Sequence, residues 1–172
     1  MTVHESYKKI VKWLERERFV LTRQKMENYD FYVRVETTPD SFIPFYIYSH
    51  SDSPEKVVVC WDWKLMDSYV ESLRQTNDEI KRALYRDLQA VTFLKNTNMK
   101  FKPDIQKANL KDELRDLNLQ EVQAIQSIYQ DGLTRDRLIN TVQQIIYTFG
   151  YIMHLFEKYG LSHPQRDPTK LA

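Results

Sequence analysis

Between residues 30 and 63 the chain alternates apolar and polar side chains with the period of a pleated strand, and apolar stripes of helical period flank that region on both sides. In DFYVRVET (30–37), Phe31, Val33 and Val35 alternate with Tyr32, Arg34 and Glu36. In SFIPFYIYSH (41–50), Ile43, Phe45 and Ile47 fall on one face and Tyr46, Tyr48 and His50 on the other. Pro44 near its start points to an edge or a strand beginning. EKVVVCWDW (55–63) is apolar on both faces, as a more central strand would be. Pro39-Asp40 and SDSP (51–54) supply the turns. Strands of this kind between strongly periodic helices predict a two-layer α+β fold, with one antiparallel sheet of about five strands and helices packed against it.

The helices carry their own start and stop signals. Thr2 and Glu5 form a capping box, and Val3, Tyr7, Ile10, Val11 and Leu14 follow on one stripe that ends near Arg18. Ser68 with Glu71 and Thr76 with Glu79 read as two further boxes. The first opens a short helix around Met66, Tyr69, Val70 and Leu73; the second opens a longer one with Ile80, Leu84, Leu88 and Val91 on its stripe. MKFKPDI (99–105) is a short strand weakened by Pro103, and QKANLKDELRDLN (106–118) is a charged connector. LQEVQAIQSIYQD (119–131) fits both periods: Val122, Ala124, Gln126 and Ile128 suit a strand face, whereas Leu119, Val122, Ile125 and Ile128 suit a helix. After the Asp131-Gly132 turn, Thr134 caps a long helix carrying Leu138, Val142, Ile145, Phe149, Ile152 and Phe156, and Gly160 ends it. Residues 1–160 read as a single domain and 161–172, with two prolines and little to bury, as a flexible C-terminal tail.

Composition removes several classes of function. Lys and Arg number 25 against 24 Asp and Glu, a balance unlike the basic footprint of a dedicated nucleic-acid binder. The only glycines are Gly132, Gly150 and Gly160, too scattered for a phosphate-binding loop of the P-loop or Rossmann kind. Cys60, the single cysteine, has no internal disulfide partner, which fits a reducing, cytoplasmic setting. The charged N-terminal segment does not read as a signal peptide, and no run is apolar enough to span a membrane.

IVKWLERERFVL near the start, FYVRVE with its following strands, and above all IYQDGLTRDRL before the last helix are similar to a family of uncharacterised archaeal proteins with a type III secretion chaperone-like fold. The resemblance runs from about Ser6 to Tyr159. It implies that 120–130 is a strand, and it brings no catalytic residues. The secretion chaperones work as dimers that bind segments of partner proteins, so it also implies a protein or peptide partner and a homodimer.

No catalytic set, metal site or cofactor is expected. Cys60 lies among valines and tryptophan, where an inert thiol is the common case, and the tryptophans Trp61 and Trp63 share a face with Val57 and Val59 as core. His4, His50, His154 and His163 lack metal-ligand spacing, and His154 reads as a packing residue of the last helix. Asp131, Thr134, Arg135, Asp136 and Arg137 resemble an anion site at a helix N-terminus, but capping explains the threonine and the acid without a ligand. Two surfaces remain. Tyr32, Arg34, Tyr46 and Tyr48 share the outer face of the sheet, where aromatics interleaved with a cation suit a peptide or, as the alternative, stacked bases. In the last helix, Ile146, Tyr147, Tyr151 and Leu155 lie off the main stripe, and Gly150 permits close approach, so a second copy is the simplest cover.

Overall fold

The computed structural model describes residues 2–37, 44–94, 97–106, 108, 110 and 117–161. In chain order the elements are α1 (Val3–Arg16), β1 (Val20–Gln24), β2 (Tyr29–Glu36), β3 (Phe45–His50), β4 (Lys56–Lys64), α2 (Asp67–Gln75), α3 (Asp78–Leu94), β5 (Asn98–Lys102), β6 (Glu121–Tyr129) and α4 (Arg135–Lys158). The strands form one antiparallel sheet in the order β1-β2-β3-β4-β6-β5. This is the α+β class expected, with the long helix last. Residues 121–129 are strand, as the family resemblance implied and periodicity alone did not decide. β4, apolar on both faces, lies inside the sheet between β3 and β6. The Pro39-Asp40 turn, Ile43, most of the 106–118 connector and the 162–172 segment lie outside the described residues.

The sheet has six strands among the described residues rather than about five, because VLTRQ (20–24) also pairs. Its two apolar residues are adjacent rather than alternating, so no strand period is legible. The ladder offered by β2 decides its structure, with Leu21 opposite Val35 and Thr22 opposite Arg34. Two capping expectations also fail. α2 is capped at Met66 without a side-chain bond, so Ser68 already lies inside the helix. Thr76 bonds back to Ser72 O at 2.6 Å, and it is Asn77 Oδ1 that accepts from Glu79 N at 2.7 Å. Both serine/threonine–glutamate pairs have the right spacing, but a cap works only where the chain leaves the extended region just before the helix. The box at Thr2 and Glu5 is present in both directions.

The fold groups into two compact units, Met1–Asp62 with Ala124–Tyr147, and Trp63–Gln123 with Thr148–Ala172. In the first, Ile10 and Leu14 of α1 are fully buried, as are Val35 and Ile47 on the inward strand face. Tyr7 meets Phe31 with ring centroids 5.5 Å apart, and Phe19 meets Phe45 edge-on at 5.8 Å. Side chains of this kind stabilise by roughly 1.5–3 kcal/mol each on full burial. In the second unit, Trp63, Tyr69 and Phe156 form a triangle of edge-on rings at 5.1 to 5.9 Å. The buried face of α3 keeps Leu84, Leu88 and Val91 of the stripe read in the sequence but differs from it at the start of the helix and at Tyr85. Lys81, Leu84, Tyr85, Leu88 and Val91 are buried, while Ile80 is 42% exposed. Tyr85 is the reason: its hydroxyl donates to Leu117 O at 2.7 Å and accepts from Leu119 N at 3.1 Å, so a polar atom is satisfied in the core.

Candidate functional site: the tyrosine face of β2 and β3

Antiparallel register sets the site. Tyr32 is opposite Tyr48, Arg34 opposite Tyr46, and Tyr46 in turn opposite Cys60 of β4. Because side chains alternate, the tyrosines leave the sheet on the face away from Val33 and Ile47. They are half-buried against one another, while the residues between them are fully enclosed. Tyr32 and Tyr48 stack at 5.5 Å with planes 10° apart, and Tyr32 meets Tyr46 at 5.4 Å. The four residues singled out in the sequence are therefore brought together.

Tyr29 was missed, although it is the ring that joins the cluster. It meets Tyr32 and Tyr48 edge-on at 5.2 Å each and His50 at 4.6 Å. By strict alternation from Tyr32 it belongs on the opposite face. A register shift between Tyr29 and Phe31 turns it outward, opposite His50. Periodicity cannot show a bulge, because the extra residue changes parity without a composition signal.

Arg34 is not an open cation. Its Nη2 and Nε reach the same oxygen of Glu36, on the same face two residues on, at 2.6 and 3.0 Å. Burial pushes the Tyr32 hydroxyl up to about 12, with Tyr46 beside it adding to the shift. The Tyr48 hydroxyl is also raised, first by burial and then by Cys60 and the neighbouring rings. Arg34 is thus internally paired, and the Tyr32 and Tyr48 hydroxyls stay neutral near pH 7. The face offers aromatic area and neutral hydroxyl donors rather than net charge.

The other candidates separate. Thr134 caps α4, accepting from Arg137 N at 3.2 Å, and Arg135 is ion-paired with Glu17 and lies 3.7 Å from Asp136. The motif is therefore a helix entry and a tie between helices. Gln130, unmarked in the sequence reading, does more there. Its Oε1 accepts from the buried Ser6 hydroxyl of α1 at 3.0 Å, its Nε2 donates to Pro54 O, and its N–H donates to Glu55 O at 2.9 Å. Cys60 is buried beneath the tyrosines, and Val57, Val59, Trp61 and Trp63 are core. His4 and His154 are exposed, so His154 does not pack as expected, and His163 lies outside the described residues. No group of three His, Cys, Asp or Glu side chains among the described residues is placed to hold a metal. No helix among them is long and apolar enough to cross a membrane. On α4, Tyr147 is 68% exposed, Gly150 is exposed, Ile146 and Tyr151 are half-buried, and Leu155 is buried within the chain rather than left over.

Comparison with known proteins gives the fold and family setting. The family model described as "Uncharacterized conserved protein (DUF2299)" matches residues 6–156. A solved structure described as an uncharacterized protein from Methanothermobacter thermautotrophicus has the same fold, with a TM-score of 0.73 over 90% of this chain and 99% of its own, at 17% sequence identity. No curated protein matches the sequence.

Proposed function

We propose, for a chain that belongs to the family of uncharacterized conserved proteins DUF2299, the role of a non-enzymatic protein-binding module of chaperone or adaptor type. The observation that carries this reading is the half-buried cluster of Tyr29, Tyr32, Tyr46 and Tyr48 on one sheet face. Rigid aromatic rings with a hydroxyl at the tip bind protein surfaces at low cost in side-chain entropy, which is why tyrosine is enriched at such interfaces. The type III secretion chaperone resemblance supports the same reading, though likeness of fold is the weaker support. Nucleic acid is the less favoured ligand. Arg34, the arginine beside these tyrosines, is already paired with Glu36, and phosphate contacts would need free cations. The proposal includes no catalytic step and no bound metal; elemental analysis of the purified protein tests the second part, and stoichiometric zinc or iron overturns it.

The test is affinity capture from native extract, followed by affinity measurement with the captured partner. Replacing Tyr46 and Tyr48 with Ala should weaken binding by roughly 1–3 kcal/mol per ring, with circular dichroism unchanged. Unchanged affinity would make the cluster structural only. Binding to an oligonucleotide that falls steeply between low and high salt would favour the nucleic-acid reading instead.

A further inference from the structure

We infer that a separate cavity, at the corner of α1 and the β1–β2 hairpin, binds a small zwitterion: a free α-amino acid with an apolar side chain. The cavity holds about 190 Å³ and is lined by Val3, His4, Tyr7, Arg23, Asp30 and Phe31. A second hollow of about 370 Å³ shares Arg23, Asp30 and Phe31 with it and extends over Met26 and Tyr29. The register explains the geometry. Arg23 is opposite Val33, so this cation of the edge strand points to the helix side of the sheet. There its guanidinium lies 4.8 Å from the centre of the Tyr7 ring. Tyr7 and Phe31, 5.5 Å apart, provide apolar surface beside it.

Arg23 and Asp30 are both solvent-exposed at the mouth of this hollow, and a charge on an edge strand by itself already discourages sheet-to-sheet pairing. This cavity contains more. Asp30 lines it too, so one hollow carries a cation and an anion. Asp30 has one oxygen, Oδ1, accepting from Ser51 Oγ at 3.3 Å. A single ligand in this hollow can meet both the Asp30 carboxylate and the Arg23 guanidinium. A guanidinium fork matches a carboxylate, a carboxylate oxygen matches an ammonium, and aromatic rings match an alkyl chain. At about 30 Å³ per water molecule, the smaller cavity has room for roughly six non-hydrogen atoms, and the adjoining hollow takes the end of a longer side chain.

The experiment is calorimetric titration with leucine, with 4-methylpentanoate, which lacks the amine, and with isopentylamine, which lacks the carboxylate. Leucine should bind saturably at one site with a Kd of about 1 mM or tighter, and each analogue should bind about tenfold more weakly. Arg23→Met should weaken leucine and 4-methylpentanoate about tenfold and leave isopentylamine unchanged; Asp30→Asn should weaken leucine and isopentylamine and leave 4-methylpentanoate unchanged. Proton NMR of the unaltered protein gives an independent readout: leucine should shift the Tyr7 and Phe31 ring signals. Absence of saturable leucine binding, equal binding of all three compounds, or losses that do not follow the matching charge would overturn the inference. The Tyr46→Ala, Tyr48→Ala variant should bind leucine as the unaltered protein does, so failure here is distinguishable from failure of the protein-binding reading.

Discussion

Two non-neighbouring helix ends use the same cap with different residues. Gly160 follows α4 with φ of +73°; its N–H donates to Glu157 O and that of Leu161 to Phe156 O. Arg18 follows α1 with φ of +64°, and the N–H groups of Arg18 and Phe19 reach Glu15 O and Leu14 O in the same pattern. The left-handed region suits glycine and strains a side chain with a Cβ. Gly160→Ala should therefore destabilise by about 1 kcal/mol, and Arg18→Gly should stabilise by about 0.5–1 kcal/mol. Urea unfolding measures both, and equal shifts in the same direction would contradict the argument. The tyrosine face gives a second prediction at this scale. The Tyr32 hydroxyl is raised from 10.0 to about 12, so the neutral form is favoured in the folded state. Its contribution to stability is fully present below pH 10 and lost as pH rises through the folded value. Absorbance titration should find late-ionising tyrosines, and Tyr32→Phe should remove one phenol from that delayed step while Tyr48 and Tyr85 still ionise late.

At the scale of elements, the last turn of α4 is tied to α3 through a single acid. Asp87 Oδ2 accepts from Lys158 Nζ at 2.8 Å and from the Tyr159 hydroxyl at 2.7 Å. The lysine bond first, and then the tyrosine, hold the Asp87 carboxyl below its ordinary value near 3.8. The pair's contribution is present above that value and lost as pH falls through the lowered one. Asp87→Asn should accordingly be less stable than the unaltered chain at pH 7, by less than about 1 kcal/mol for so exposed a pair. The difference should shrink as pH falls below 3.8 and through the lowered value. A difference that stays constant across that window would mean that packing, not charge, is lost. Gln130 shows the same logic without charge: one amide joins α1, the β3–β4 turn and the end of β6.

At the scale of the molecule, we propose that the chain self-associates through α4. The outward side of that helix carries Tyr147, 68% exposed, beside Ile146, Gly150 and Tyr151, and a Cβ added at Gly150 would meet nothing within 4 Å. An exposed aromatic next to a glycine is the pattern that a close helix pair buries, and symmetric dimers are the commonest oligomers. Sedimentation equilibrium at micromolar concentration should give a dimer that Ile146→Glu or Tyr151→Glu splits. A monomer ends the proposal; a dimer indifferent to both changes moves the contact to another element.

The sequence by itself determined the α+β class, the alternating faces of β2 and β3, the central place of β4, the box at Thr2 and the cap at Gly160. Each is a local matter: a period of two or 3.6 residues, or a backbone angle that one residue type favours. It also placed Tyr32, Arg34, Tyr46 and Tyr48 on one face, because parity along a strand is local too. Tertiary structure decided the rest. Whether VLTRQ pairs depends on the edge of β2, and whether 121–129 is strand depends on an open place beside β4. The face that α3 buries turns on a hydrogen bond from Tyr85 to a segment over thirty residues away. Tyr29 joins the cluster through a bulge, Arg34 is occupied by Glu36, and Arg23 and Asp30 share a cavity because the β1–β2 hairpin brings them to one side of α1. These outcomes are set by partners distant in sequence, and a pattern read along one segment contains no term for them.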